Sequence, residues 1–107
     1  MPIPDFQTIM LPLLELHSDQ KEHSSKDLIN AISDKFSLTM GELSEKLGSG
    51  VLIINNRVGW AISYLKKANL INAAKRGSYI ITPDGIRVLD EKPKRINMAN
   101  RIFTPIP

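Results

Sequence analysis

The apolar positions of the chain recur with helical spacing in five stretches, most sharply in residues 55–69. At 100° per residue, Val58, Ala61, Ile62, Leu65 and Ala68 fall within about 120° of arc. Asn56, Gly59, Ser63, Lys66 and Lys67 lie within about 100° on the opposite side. The stretch carries no acidic residue. A helix with one uninterrupted apolar face, and a polar face of amides, a hydroxyl and lysines, suits a groove of DNA, because a carboxylate there would oppose phosphates.

The remaining pattern supplies a frame for that helix. Phe6, Ile9, Met10, Leu13 and Leu14 predict a first helix, with Pro4 near its first position and Asp5 in its first turn. Pro12 predicts a kink in it. Residues 22–24 read as a short strand. Ser24 and Asp27 predict a capped helix that turns Leu28, Ile29, Ile32 and Phe36 inward. Thr39 and Glu42 repeat the cap signature, with Leu43 and Leu47 as a short buried stripe and Gly48 and Gly50 as its stop. The apolar run 51–54 is either the first turn of the next helix or an extended segment. Asn69 suits a left-handed helix end. Residues 70–74 and 79–82 read as two strands joined by Lys75, Arg76, Gly77 and Ser78, a glycine-containing hairpin. Thr82 and Pro83 start a last helix with Ile86 and Leu89 inward.

Helices, a hairpin and a closing helix, in that order, predict a mainly α domain with a small β-hairpin. This is an α+β fold of winged helix-turn-helix type over residues 1–90. Residues 91–107 are basic, contain proline and lack periodicity, which reads as a tail or linker.

Composition narrows the function classes. The 107 residues suffice for one core. They include no cysteine, which removes disulfides, thiolate zinc sites and a catalytic thiol and fits a cytoplasmic protein. Asp5, Gln7 and Glu15 interrupt the apolar N-terminal stretch and no basic segment precedes it, so it reads as neither signal peptide nor membrane span. The net charge of +3 conceals an asymmetry: residues 1–56 hold four lysines against eight acids, while residues 57–107 hold ten basic residues against three acids. The basic half contains the groove-helix candidate, which favours a polyanionic partner.

Several residues are specific enough to carry a resemblance. Asn56, Arg57, Val58, Gly59, Trp60 and Ala61 are followed by Tyr64, Leu65, Lys66, Lys67, Ala68 and Leu70, then by Arg76 with Gly77 and by Ile81, Thr82 and Pro83. Together with the opening Ile3, Pro4, Asp5 and Phe6, and Ser49 with Gly50, they resemble the N-terminal domain of Mrr-type restriction endonucleases over roughly residues 2–90. The resemblance implies a winged-helix DNA-binding domain that precedes a nuclease domain in a modification-dependent restriction enzyme of type IV. In that family the nuclease domain cuts and the N-terminal domain helps choose the DNA. Asn69 stands where the family commonly has glycine; both suit a helix end. No nuclease domain follows, which fits either an excised domain or a stand-alone relative.

The expected roles follow, each beside its structural alternative. Asn55 and Asn56 either pair with bases or cap the helix. Arg57 either reaches a guanine or a phosphate, or pairs with an acid of the negative half. Gly59 costs about 1 kcal/mol in a helix, so close approach of DNA or of a neighbouring helix should offset it. Trp60 and Tyr64 either stack on a base or, the more frequent role, complete a core. Ser63 approaches bases. Lys66 and Lys67 hold phosphates or complement the helix end. Lys75, Arg76 and Ser78 form the wing's contact with the backbone. About five phosphate contacts predict a salt slope near −4.5.

His17 and His23 lack a third ligand for a metal. Asp19 with Lys21, and Asp90 with Lys92, match only the last part of a nuclease signature. No catalytic set, metal or cofactor is expected, so the chain reads as no enzyme by itself. The partners expected are double-stranded DNA, methylated in the family's manner, a nuclease domain in cis or trans, and a second copy as homodimer. Two alternatives remain: a protein-interaction or dimerisation module, and a small helix-turn-helix transcriptional regulator bound as a symmetric dimer.

Overall fold

The computed structural model describes residues 3–91. The elements are α1 (Phe6–Leu16), a single 3-10 turn (His17–Asp19), β1 (His23–Ser24), α2 (Ser25–Lys35), α3 (Met40–Ser44), α4 (Ile53–Lys67), β2 (Ile71–Lys75), β3 (Ser78–Ile81) and α5 (Pro83–Asp90). The strands form one antiparallel sheet in the order β1-β3-β2. The α-helices and the small three-stranded antiparallel sheet make an α+β arrangement compatible with a winged helix.

The core sits where α1, α2 and α4 meet. Ile9, Met10, Leu13 and Leu14 from α1, Leu28 and Ile32 from α2, and Ile54, Val58, Ala61 and Leu65 from α4 are all buried. Each fully buried Leu or Ile contributes roughly 1.5–3 kcal/mol relative to exposure. The apolar arc of the central helix therefore anchors it and leaves its other face outward.

The caps explain the element boundaries. Asp5, rather than an acid inside the first turn, is the N-cap of α1 and accepts from the Thr8 amide; Pro4 lies outside the helix, which continues through Pro12. Ser24 caps α2, and Thr39 with Glu42 forms a reciprocal capping box on α3. The buried stripe expected of α3 is reduced to Leu43, partly buried against the core: the helix ends at Ser44, before Leu47 and the glycines, and holds no fully buried residue. The ambiguous run 51–54 is divided. Leu52 bridges Lys46 in antiparallel fashion, and helix begins at Ile53.

At its far end α4 closes with the Asn69 amide donating to the Lys66 carbonyl and the Leu70 amide to the Leu65 carbonyl. Asn69 has φ 62°, the left-handed conformation of this paired closure. Thr82 then joins three elements. Its amide donates to the Leu70 carbonyl, its hydroxyl donates to the Asn69 carbonyl at 2.6 Å, and the same oxygen accepts from the Gly85 amide to cap α5. Of the inward residues expected on α5, Ile86 and Leu89 pack partly buried against the core, while Val88 and Gly85 are buried.

Candidate nucleic-acid interface

The exposed face of α4 is the candidate site. Helix begins two residues earlier than expected, so Asn55 and Asn56 are its third and fourth residues and neither caps it; Leu52 occupies the cap without a side-chain bond. Both asparagine side chains are thereby released from the capping role. Asn55, Gly59, Ser63, Lys66 and Lys67 are exposed and Asn56 half-buried. A Cβ built on Gly59 meets nothing within 4 Å among the described residues. The close approach of a neighbouring helix, one expected reason for this glycine, is therefore overturned. The helix backbone lies open at that point.

On the α2 side of this face, Asn55, Gly59, Ser63 and Lys66 border a cleft of about 270 Å³ whose far wall includes Ser25 and Tyr79. The Lys66 ammonium sits 5.8 Å from the Tyr79 ring centre, which steers it towards the hairpin. On the other side stands an aromatic ladder. Phe6 and Tyr64 stack at 5.0 Å with planes 12° apart, and Trp60 follows at 6.1 Å. The packing role expected of Trp60 and Tyr64 holds for Tyr64 only, since Trp60 is 51% exposed. The Lys67 ammonium lies 5.9 Å from the Tyr64 ring centre.

Among the described residues no acid of the N-terminal half pairs with Arg57. Its Nη1 donates to the Pro4 carbonyl at 3.3 Å, tying α4 to the segment that leads into α1. A carbonyl satisfies one donor of a guanidinium that has five.

The hairpin turns tightly through Arg76 and Gly77, with φ +79° at Gly77 and a bulge between Ala73 and Lys75. The Gly77 carbonyl accepts from the Ser25 amide at 3.0 Å, so the wing tip is fastened to the start of α2. Lys75 and Arg76 are exposed. The reasoning that a tip has no structural use for cations fails for Lys75, which pairs with Glu22 at 3.3 Å. Both partners are solvated, and such pairs stabilise by 0–1 kcal/mol, leaving Lys75 available to a phosphate. Ser78 stands apart from the others: it is buried in β3 opposite Ser24. The basic tail read over residues 91–107 lies, apart from Glu91, outside the described residues.

Beneath the wing lies a polar cluster that sequence reasoning considered only as a metal site. His17 is fully buried, and among the described residues neither ring nitrogen has a hydrogen-bond partner. His23 meets it edge-on at 5.0 Å and pairs with Asp19 at 3.0 Å. Burial, and then repulsion from His23, lowers the His17 pKa to about 4, against an opposing pull from Asp19. The amide of Lys21 and then the His23 ring hold the Asp19 carboxyl below the usual range. Asp19 is thus committed to its neighbours. Among the described residues no group of three or more His, Asp or Glu side chains is arranged to hold a metal. None of their helices is long and apolar enough to cross a membrane.

Known proteins resemble this chain over most of its described length. The Mrr N-terminal domain family matches residues 6–91. The chain is 28% identical over 95 residues to the type IV methyl-directed restriction enzyme EcoKMrr of Escherichia coli strain K12. That match covers 88% of this chain and 31% of the relative, so the chain spans about a third of the relative's length. No solved structure matches the chain significantly.

Proposed function

As the chain belongs to the Mrr N-terminal domain family, we propose that it binds double-stranded DNA as the target-recognition module of a restriction endonuclease-like protein. Helix α4 enters the major groove and the wing rests on the backbone. Asn55, Asn56 and Ser63 approach base edges; Lys66, Lys67, Lys75 and Arg76 hold phosphates. The observation that carries this reading is the outer face of α4, open at Gly59, without an acid, and joined to the hairpin by Lys66 over Tyr79. Cleavage belongs to a nuclease domain joined to, or recruited by, this one. Methylated DNA is the preferred target, in keeping with the methyl-directed relative.

Fluorescence anisotropy with matched unmodified, cytosine-methylated and adenine-methylated duplexes at several salt concentrations tests the proposal. Four backbone cations imply a log–log salt slope near −3.6, from about −0.9 per contact, against the −4.5 expected for about five. Preference for one methylated duplex supports the reader role. Equal salt-sensitive binding to all three reduces the domain to a nonspecific DNA anchor. Absence of binding at low salt rejects the DNA reading in favour of a protein-docking role.

A further inference from the structure

The aromatic ladder on α4 ends in solvent, and its outer member has no packing task that requires an indole. Trp60 stands between two clefts, one of about 410 Å³ with Ser63, Lys66 and Lys67, the other of about 310 Å³. Phe6, Asn56, Arg57, Trp60 and Tyr64 line the second. Its composition is informative: planar π surfaces, one amide that both donates and accepts, and one guanidinium. This is the chemistry that holds a nucleobase by its face and its edge. The 730 Å³ trough between α2, α3 and the start of α4 is larger and also carries a lysine and two asparagines, but it includes Asp34 and offers no aromatic plane.

We propose that the cleft beside Trp60 receives a single nucleobase drawn out of the duplex. The base stacks on the indole and extends the Phe6–Tyr64–Trp60 series by one ring, while Asn56 and Arg57 meet its edge. A paired base cannot do this, because its faces are covered by its neighbours in the stack. The proposal rests on the DNA-binding reading and goes beyond it: groove contact leaves the duplex stacked, whereas this site takes one base out. Phe6 holds Tyr64 from behind and the Pro4 carbonyl holds Arg57, so the walls are pre-positioned by the segment leading into α1.

The chain contains one tryptophan, so its own fluorescence reports the contact. The full chain is titrated with three duplexes of one sequence: fully paired, with one mismatched base, and with an abasic sugar at that position. A mismatched base is cheaper to extrude. The mismatched duplex is expected to bind roughly tenfold more tightly than the abasic one and to quench the tryptophan, as stacking on one base would produce. Trp60→Ala removes the preference, Trp60→Phe retains part of it, and Asn56→Ala weakens it; circular dichroism confirms that each variant is folded. Salt-sensitive binding that treats the three duplexes alike, without quenching, overturns this inference and leaves the groove reading standing. Failure to bind any of them overturns both.

Discussion

Two glycines in helices divide the molecule into a face that the fold needs and a face that it does not. A Cβ on Gly85 would lie 2.3 Å from the Leu70 carbonyl oxygen and 2.6 Å from Ile81 Cγ1, whereas on Gly59 it would meet open space. Gly59 lies in a helix interior, where glycine costs about 1 kcal/mol relative to alanine, whereas Gly85 is the third residue of α5. At Gly85 the contact of α5 with the turn between α4 and β2 accounts for the absence of a side chain. At Gly59 nothing inside the described residues does. The same division runs around α4, whose inner arc of Ile54, Val58, Ala61 and Leu65 has nearly no accessible surface while Trp60 is half-exposed on the outer arc. Tolerance of the fold is what marks the outer face as available to a ligand.

The largest effect that tests this division belongs to Gly85→Ala. The overlapping oxygen is backbone, so α5 must shift, and a loss of about 3 kcal/mol is expected, at the upper end for overpacking. Thermal unfolding would show a fall of well over 10 °C for a domain of this size; an unchanged midpoint would remove the distinction between the glycines.

Between pH 7 and pH 5, acid should act mainly through the buried His17. His17 binds its proton at about 4 in the fold against 6.5 when unfolded, so the unfolded chain holds more protons between those values. Stability is fully present above about 6.5 and declines as pH falls towards 4. Urea unfolding at pH 7 and pH 5 measures the decline, and His17→Leu should reduce it. An identical pH dependence in that variant would place the acid sensitivity elsewhere.

Removing both wing cations, Lys75→Ala with Arg76→Ala, should leave stability within about 0.5 kcal/mol, since the Glu22 pair is solvated. Its effect should fall on DNA: a salt slope shallower by about 1.8 units, from −0.9 for each lost contact. A slope that does not change would separate the wing from the backbone. The smallest effect is expected from Gly59→Ala. Relief of the helix penalty should stabilise the domain by up to about 1 kcal/mol. A methyl group projecting from the open backbone should at the same time weaken duplex binding; stabilisation without any loss of affinity would mean that nothing approaches α4 there.

Much of this was legible without coordinates where the determinants are local. Ser24, Thr39 and Thr82 cap the helices that the sequence predicts, because a cap needs only an oxygen three residues before an amide. Asn69 closes α4 in the left-handed conformation expected of it, and the hairpin turns at Gly77. The family was readable for a related reason: its residues around 56–68 keep a fixed spacing on one helix. Reading went astray where a side chain's partner is distant in the chain. Periodicity assigned no owner to Leu52 or Ile53, and so shifted the start of α4 and misplaced Asn55 and Asn56. Nothing around Arg57 announces the Pro4 carbonyl 53 residues away, nor does anything near Lys75 announce Glu22.

By itself, then, the sequence determined the elements, the inner arc of α4, the basic character of the second half and the family. Local hydrogen-bond geometry and helical phase are properties of a few consecutive residues, and these suffice for such features. Tertiary structure alone decided that Gly59 lies open while Gly85 is enclosed, that Tyr64 packs on Phe6 while Trp60 faces solvent, and that Ser78 and His17 are buried. Those outcomes depend on which surfaces the core brings together, and burial is a property of the packed whole rather than of any segment.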